Sequence, residues 1–302
     1  MKTYFFEVDE TNQPLLAKSF SKKLFFSTRL QDTDMHLFED AEIISVFVHS
    51  TLTKEILNQM PNLKMIALRS TGYDNVDLQY CQENNIFVAN VPVYGEQTVA
   101  EFVFGLLLYS TRKLSHMQNN ASANDYLGVD LFGKTIGIIG TGRIGLNVAK
   151  IARGFSLNVL GYDLFPNEDI ANEIGFSYVT LHELLAKSDI ISLHVPYNTK
   201  THHMMSNQEF HFMKDGVIFI NTARGSLVDN SALLGALNSG KVSTALLDVI
   251  EGDSLEIRHH DHVVWTPHVA YNTAEAANRI ILTTLENISA FEKGILQNVV
   301  KT

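Results

Sequence analysis

A run of glycines between an apolar segment and an amphipathic segment constrains this chain most. Residues 135–139 are mostly apolar, as expected of a buried parallel strand. Gly140, Gly142 and Gly145 follow, and the apolar residues after them recur at helical spacing. In such a turn the first glycine permits the sharp bend, the second lets a ligand approach the backbone, and the third lets helix and strand pack closely. The stretch therefore predicts a βαβ unit with a ligand-binding turn.

An acidic residue ends the second predicted strand of this unit. Asp163 lies roughly 20 residues beyond Gly140, the distance at which a carboxylate accepts hydrogen bonds from an adenine ribose. The N–H groups at the start of the helix would bind the pyrophosphate. Leu164, Phe165 and Pro166 follow the acid, with no adjacent Arg or Lys to meet a 2′-phosphate. The pattern predicts NAD rather than NADP, with the cofactor held by Gly140, Gly142, Arg143, Ile144, Gly145 and Asp163.

Length and charge narrow the classes of protein to which this chain can belong. Its 302 residues are enough for two domains, and the net charge of −10 argues against a nucleic acid or an anionic membrane as partner. A single cysteine excludes an intramolecular disulfide. The acidic start is unlike a signal peptide, and no apolar run reaches the length of a membrane span. We expect a soluble, cytoplasmic protein.

Short apolar segments alternate with helical segments along nearly the whole chain. In the first 95 residues the predicted strands are 4–8, 23–26, 43–48, 65–68 and 86–88. After the glycine turn they include 190–195, 217–221, 244–249 and 263–265. This alternation predicts an α/β fold with parallel sheets, the second of them doubly wound with six or seven strands.

Candidate ligand-binding and catalytic residues follow the predicted strands in the second half of the chain. In doubly wound sheets ligands bind at these strand ends. They are Val195, Pro196, Thr199, Thr222, Ala223, Arg224, Asp248 and His268. Thr199 can reach phosphates. An arginine fork fits a carboxylate and polarises an adjacent carbonyl, while a histidine donates a proton near neutral pH and a neighbouring carboxylate raises its pKa. This set fits hydride transfer between a nicotinamide and a 2-oxo acid.

Two further features leave alternatives open. The segment 69–77, with Thr71 and Gly72, either offers backbone N–H groups to a ligand or is an ordinary βα loop. Histidines at 202–203, 259–260 and 262 suggest a metal site. Because neighbouring residues do not place their ligands on one face, we expect no metal.

The motifs together resemble the D-isomer-specific 2-hydroxyacid dehydrogenases over nearly the whole sequence. The resemblance rests on residues 70–77, 91–101, 137–145, 193–196, 220–225, 247–249 and 266–268. It implies two Rossmann-like, doubly wound parallel-sheet domains. An NAD-binding domain over 99–270 would be inserted into a flavodoxin-like substrate domain made of 1–98 and 271–302. It also implies a homodimer.

The resemblance assigns the catalytic roles. It makes Arg224 the catalytic arginine and His268 the acid–base histidine. The carboxylate that partners the histidine, a glutamate in the family, falls on Asp253, whose side chain is one methylene shorter. Glu251 is the alternative partner.

The resemblance also indicates a substrate. The backbone of Thr71 and Gly72 would bind the substrate carboxylate. The sequence around Tyr94, and Tyr271 shortly after His268, most resemble the corresponding sequences of the D-lactate dehydrogenase branch. The prediction is NADH-dependent reduction of a small 2-oxo acid, first of all pyruvate, to the D-2-hydroxy acid. The alternatives are a hydroxypyruvate or glyoxylate reductase and a non-enzymatic NADH-sensing protein.

Overall fold

The chain divides into two compact units in a computed structural model that describes residues 1–10, 13–21, 24–114 and 127–300. Unit 1 comprises Met1–Tyr94 and Thr273–Thr302, and unit 2 comprises Gly95–Asn272. Within the described parts of the chain, every helix is too short or too polar to cross a membrane.

Unit 1 is built on a four-stranded parallel sheet with strand order β1-β2-β3-β4. Its strands are β1 (Thr3–Phe5), β2 (Ile43–Val46), β3 (Met65–Leu68) and β4 (Phe87–Ala89). Its helices are α1 (Gln13–Leu16), α2 (Lys54–Leu57), α3 (Leu78–Glu83) and α11 (Ala274–Glu292). The central strands are buried along their whole length, since a parallel sheet is covered on both faces.

The C-terminal segment belongs to unit 1. Helix α11 packs on β3 and α1, and its Ile281 and Ile288 are at most 1% exposed. Beyond it, Val299 forms an antiparallel bridge with Ala89, and Val300 N donates to Val88 O. The tail thereby adds to the edge of the sheet at β4.

One strand predicted in unit 1 is wrong. Residues 23–26 contribute an isolated bridge between Phe5 and Phe25 rather than a strand, and Lys23 lies outside the described residues. The phenylalanines serve the core instead: Phe26 stacks on Phe6 with ring centroids 5.1 Å apart. Apolar residues that fill a core are easily mistaken for a short strand.

Unit 2 is a seven-stranded parallel sheet with strand order β11-β10-β9-β8-β5-β6-β7. Its strands are β5 (Thr135–Ile139), β6 (Asn158–Tyr162), β7 (Ser177–Tyr178), β8 (Ile190–Leu193), β9 (Val217–Asn221), β10 (Val242–Leu247) and β11 (Val263–Trp265). Its helices are α4 (Glu96–Thr111), α5 (Arg143–Gly154), α6 (Glu168–Ile174), α7 (Leu181–Lys187), α8 (Asn207–Phe212), α9 (Asn230–Asn238) and α10 (Leu255–Arg258). The predicted α/β class and the doubly wound sheet are confirmed.

The order of these strands fixes where a ligand binds. The chain runs outward from β5 through β6 to β7, then returns to β8 on the other side of β5. Strand order therefore reverses between β5 and β8. In doubly wound sheets the ligand crevice opens at the carboxyl ends of the two strands that flank such a switch point.

Candidate active site

The turn after β5 is shaped by two glycines that approach other backbone closely. Gly140 has φ +94°, and a Cβ there would lie 2.7 Å from the carbonyl of His194, the residue after β8. A Cβ on Gly145 would lie 2.0 Å from Gly140 O. Any side chain at either position would push α5 or β8 away from the turn. The glycines are thus required by packing at the switch point.

Gly142 differs from its neighbours because it faces open space. It is the residue before α5, and a Cβ there would meet no protein atom within 4 Å. The start of the 12-residue helix therefore presents unobstructed backbone N–H groups, which favour an anion. Arg143 is exposed and Ile144 half-buried at this helix start. This opening fits the pyrophosphate of a dinucleotide.

Asp163, the residue after β6, is bonded to the glycine turn. Its carboxylate accepts from Thr141 N at 2.7 Å and from Phe165 N at 2.9 Å. It also lies 3.2 Å from Thr141 Oγ1. The acid is half-buried at the turn's side and carries the negative charge predicted to face an adenine ribose.

The segment after β8 contains a histidine that sequence reasoning did not assign to the site. His194 Nε2 lies 2.8 Å from Ser192 Oγ, and His194 N donates to Ile139 O at 2.7 Å. Burial lowers the pKa of His194 to about 3, so its imidazole is neutral at physiological pH. The predicted cofactor residues Val195, Pro196 and Thr199 follow it, Val195 half-buried and the other two exposed.

Asn221 organises the segment after β9. Its side chain accepts from Ala223 N at 3.0 Å and donates to Arg224 O at 2.8 Å, and the residue is 1% exposed. The half-buried Arg224 donates from Nη1 to Ala223 O at 2.8 Å. Thr222 has a buried hydroxyl without a partner among the described residues. A buried hydroxyl left over at a ligand edge suits a bound polar group.

Asp248 holds the segment that carries His268. The residue is 1% exposed, and its carboxylate accepts from Thr266 Oγ1 at 2.6 Å, Val269 N at 2.8 Å and Ala270 N at 2.9 Å. His268 N donates to Asp248 O at 2.9 Å. Asp248 was predicted to contact the cofactor, and the structure adds this organising role.

His268 itself adopts a left-handed backbone conformation with φ +56°. Such a conformation is uncommon for residues other than glycine and is often found at functional sites. Its ring meets the ring of Tyr271 edge to face, with centroids 6.3 Å apart. The strained backbone and the bonds to Asp248 together fix where the imidazole projects.

The two candidate carboxylates have other partners in this structure. Asp253 is exposed and forms an ion pair with Arg258 at 2.6 Å. Glu251 lies 2.6 Å from His203 Nε2, and the hydrogen bond from His203 lowers the pKa of that carboxyl. The two acids are two positions apart in the sequence, yet Asp253 pairs with Arg258 and Glu251 pairs with His203.

The predicted substrate loop of unit 1 follows β3. Thr71 Oγ1 donates to Val91 O at 2.8 Å, and Ser70 Oγ donates to Gly72 O at 2.7 Å. Beneath it, the buried guanidinium of Arg69 donates to Ser45 Oγ and to the carbonyls of Ser45, Phe6 and Glu7. Burial lowers the pKa of Arg69 to about 10. Tyr94 O accepts from Arg279 Nε at 2.8 Å.

A switch-point crevice with an open glycine turn defines unit 2 as a dinucleotide-binding α/β domain. Comparison with protein families gives the same class: the model "D-isomer specific 2-hydroxyacid dehydrogenase, NAD binding domain" matches residues 104–270, more than half of the chain. The chain belongs to the D-isomer-specific 2-hydroxyacid dehydrogenases. It is an NAD-dependent oxidoreductase, which confirms the predicted family and cofactor.

Individual relatives agree with this family and differ in substrate. A structure of D-lactate dehydrogenase from Aquifex aeolicus, complexed with NAD and lactic acid, is 38% identical over 97% of this chain and 96% of that one, with a TM-score of 0.89. The aromatic 2-oxoacid reductase of Clostridium sporogenes is 36% identical over 87% of each chain. The glyoxylate reductase of Korarchaeum cryptofilum is 34% identical over 85% of this chain and 81% of its own.

We expect the neutral state of His194 to make the stability of unit 2 depend on pH. The unfolded chain binds a proton at this residue near pH 6.5, whereas the folded chain does so only near pH 3. Stability is therefore complete above pH 6.5 and is lost as the pH falls below it. At pH 5 the loss amounts to about 2 kcal/mol of unfolding free energy.

Urea unfolding followed by fluorescence tests this expectation, because Trp265 is the one tryptophan of the chain and lies in unit 2. The His194→Gln variant should lose about 2 kcal/mol less than the wild type between pH 7 and pH 5. Equal losses in the two proteins would contradict a buried neutral imidazole.

Proposed function

We propose that this enzyme reduces a small 2-oxo acid, pyruvate first, to the D-2-hydroxy acid with NADH. The main support is the location of His268. Asp248 holds the His268 segment at the same edge of the sheet in unit 2 as the glycine turn and Arg224. An acid–base group, a cation and a dinucleotide turn on one edge are the parts that carbonyl reduction requires.

The cofactor would supply the hydride. We assign Gly142 and the start of α5, with Arg143 and Ile144, to its pyrophosphate, and Asp163 to its adenine ribose. Residues at the ends of the next strands complete the proposed binding set: Val195, Pro196, Thr199, Thr222, Ala223 and Asp248. The unpartnered hydroxyl of Thr222 supports this assignment.

Arg224 and His268 would act on the substrate itself. The guanidinium fork of Arg224 fits the carboxylate of a 2-oxo acid and draws electron density from its carbonyl. The imidazolium of His268 would donate the proton that the carbonyl oxygen gains on reduction. From unit 1, the backbone of Thr71 and Gly72 is assigned to the substrate carboxylate.

Pyruvate is the proposed preferred substrate. Tyr94 and Tyr271 are the aromatic residues assigned to the substrate pocket. The similarity to a D-lactate dehydrogenase at 38% identity supports a small substrate, whereas the aromatic 2-oxoacid reductase and the glyoxylate reductase define the competing substrates.

A substrate panel tests the proposal directly. Purified enzyme with NADH should turn over pyruvate with a higher kcat/KM than 2-oxobutyrate, hydroxypyruvate, glyoxylate or phenylpyruvate, and the product should be the D isomer. His268→Gln should lower kcat by about 100-fold or more because the proton donor is lost. His260→Gln, at a partly exposed histidine of the same unit, is the matched control and should retain full activity.

Two outcomes would contradict this function. Preferred turnover of glyoxylate or of phenylpyruvate would move the enzyme to another substrate class of the family. Tight NADH binding without turnover of any 2-oxo acid would favour an NADH-sensing role.

The carboxylate partner of His268 can be identified from the pH profile. Asp253 is the proposed partner, and it would exchange its ion pair with Arg258 for one with the imidazolium. Asp253→Asn removes the charge that stabilises protonated His268, so the reduction should lose activity about one pH unit lower than in the wild type. The measurement is kcat/KM for pyruvate against pH.

Glu251→Gln is the comparison for that experiment. If Asp253 is the partner, this variant should keep the wild-type pH limit. A shift in Glu251→Gln with an unchanged profile in Asp253→Asn would reassign the role to Glu251.

A further inference from the structure

Two histidines and a glutamate meet beside the carboxyl ends of β8 and β10. His202 and His203 lie in the turn after β8, and Glu251 lies in the segment after β10. One ligand atom from each lies within 4.8 Å of the other two. The sequence pattern shows only the two adjacent histidines, because Glu251 comes from a distant part of the chain.

The backbone of the turn brings the adjacent imidazoles together. His203 has φ +49°, a left-handed conformation that is uncommon for a residue with a side chain. In an extended chain successive side chains point to opposite faces, but here the rings of His202 and His203 stack with centroids 3.9 Å apart. His203 N donates to Ser226 O at 2.9 Å, which holds the turn in place.

We propose that His202, His203 and Glu251 bind a transition-metal dication of the Zn²⁺ class. Imidazole nitrogens with one carboxylate suit Zn²⁺, Ni²⁺ or Cu²⁺, whereas Mg²⁺ and Ca²⁺ require oxygen ligands. A set of two histidines and one glutamate leaves the fourth tetrahedral position open. With metal–ligand bonds of about 2.0–2.1 Å the ligand atoms stand roughly 3.3 Å apart. Metal binding therefore requires the exposed His202 to rotate and the contact of 2.6 Å between His203 and Glu251 to widen.

Neighbouring groups already orient the glutamate. Ser226 hydrogen-bonds to the Glu251 carboxylate, and Asn230 Nδ2 donates to Glu251 O at 2.9 Å. The bond from Ser226 is of the kind that orients metal ligands in proteins, and the bond from Asn230 to the backbone carbonyl holds the segment. The ion would replace the hydrogen bond of 2.6 Å that now joins His203 to Glu251.

A bound ion would join the segments that follow β8 and β10, on either side of β9 in the sheet. The ligands come from the segments after β8 and β10, and Ser226, which contacts both, follows β9. Since the ligands come together only in the folded chain, the ion stabilises unit 2. The proposal does not depend on which 2-oxo acid the enzyme reduces, because zinc binding is measured without substrate or cofactor.

Calorimetric titration of the metal-free, untagged full chain with ZnCl₂ tests the site. The wild type binds one Zn²⁺ per chain, and MgCl₂ gives no binding. His202→Ala and Glu251→Gln each weaken Zn²⁺ binding by about tenfold or more because each removes one ligand. Zn²⁺ also raises the thermal midpoint followed by Trp265 fluorescence in the wild type but not in His202→Ala.

Two control variants separate this cluster from other histidines. His36 lies 3.3 Å from Glu39 on the surface and offers a two-ligand pair, so His36→Ala leaves Zn²⁺ binding unchanged. His260 lines a cavity with His259 and His262, and His260→Ala likewise leaves it unchanged. Wild-type affinity in both His202→Ala and Glu251→Gln, or loss of binding in His260→Ala instead, would overturn the proposal.

Discussion

The carboxylate of Asp163 ties the glycine turn to the end of β6, and the ligand edge of unit 2 depends on this connection. By accepting from Thr141 N and Phe165 N it keeps the acid beside the start of α5, where Gly142 leaves the helix N-terminus open. Positive potential at the helix start and negative charge at the strand end thus lie side by side. A dinucleotide needs that pairing, because its phosphates are anionic and its ribose is a hydrogen-bond donor.

The parallel pairing of the strands places the candidate catalytic residues at one edge of the sheet. Arg224 and His268 stand far apart in sequence, yet both follow strands whose carboxyl ends point the same way. Two buried side chains fix the positions of these segments. Asn221 hydrogen-bonds to the backbone of the segment that contains Arg224, and Asp248 hydrogen-bonds to the backbone of the segment that contains His268. A buried carboxylate with three donors is costly to disturb, so Asp248 secures the left-handed conformation of His268.

Sequence alone predicted a doubly wound sheet of six or seven strands, of which the structure has seven, and the glycine turn, because apolar runs and glycine spacing reflect local geometry. It wrongly predicted a strand at residues 23–26, where phenylalanines fill the core without forming a strand. It could not anticipate the pairs His203–Glu251 and Asp253–Arg258, since each depends on where separate segments meet. The low pKa of His194 likewise follows from burial, which residue type does not reveal.

We propose that the open glycine turn and the Asp163 charge bind NAD as a unit. Equilibrium titration of intrinsic or NADH fluorescence gives the dissociation constants of NADH and NADPH for the wild type and for Asp163→Asn. We predict that the wild type binds NADH at least about tenfold more tightly than NADPH, because the carboxylate repels a 2′-phosphate. Asp163→Asn should reduce this ratio of dissociation constants. Equal affinity of the wild type for the two cofactors would contradict it.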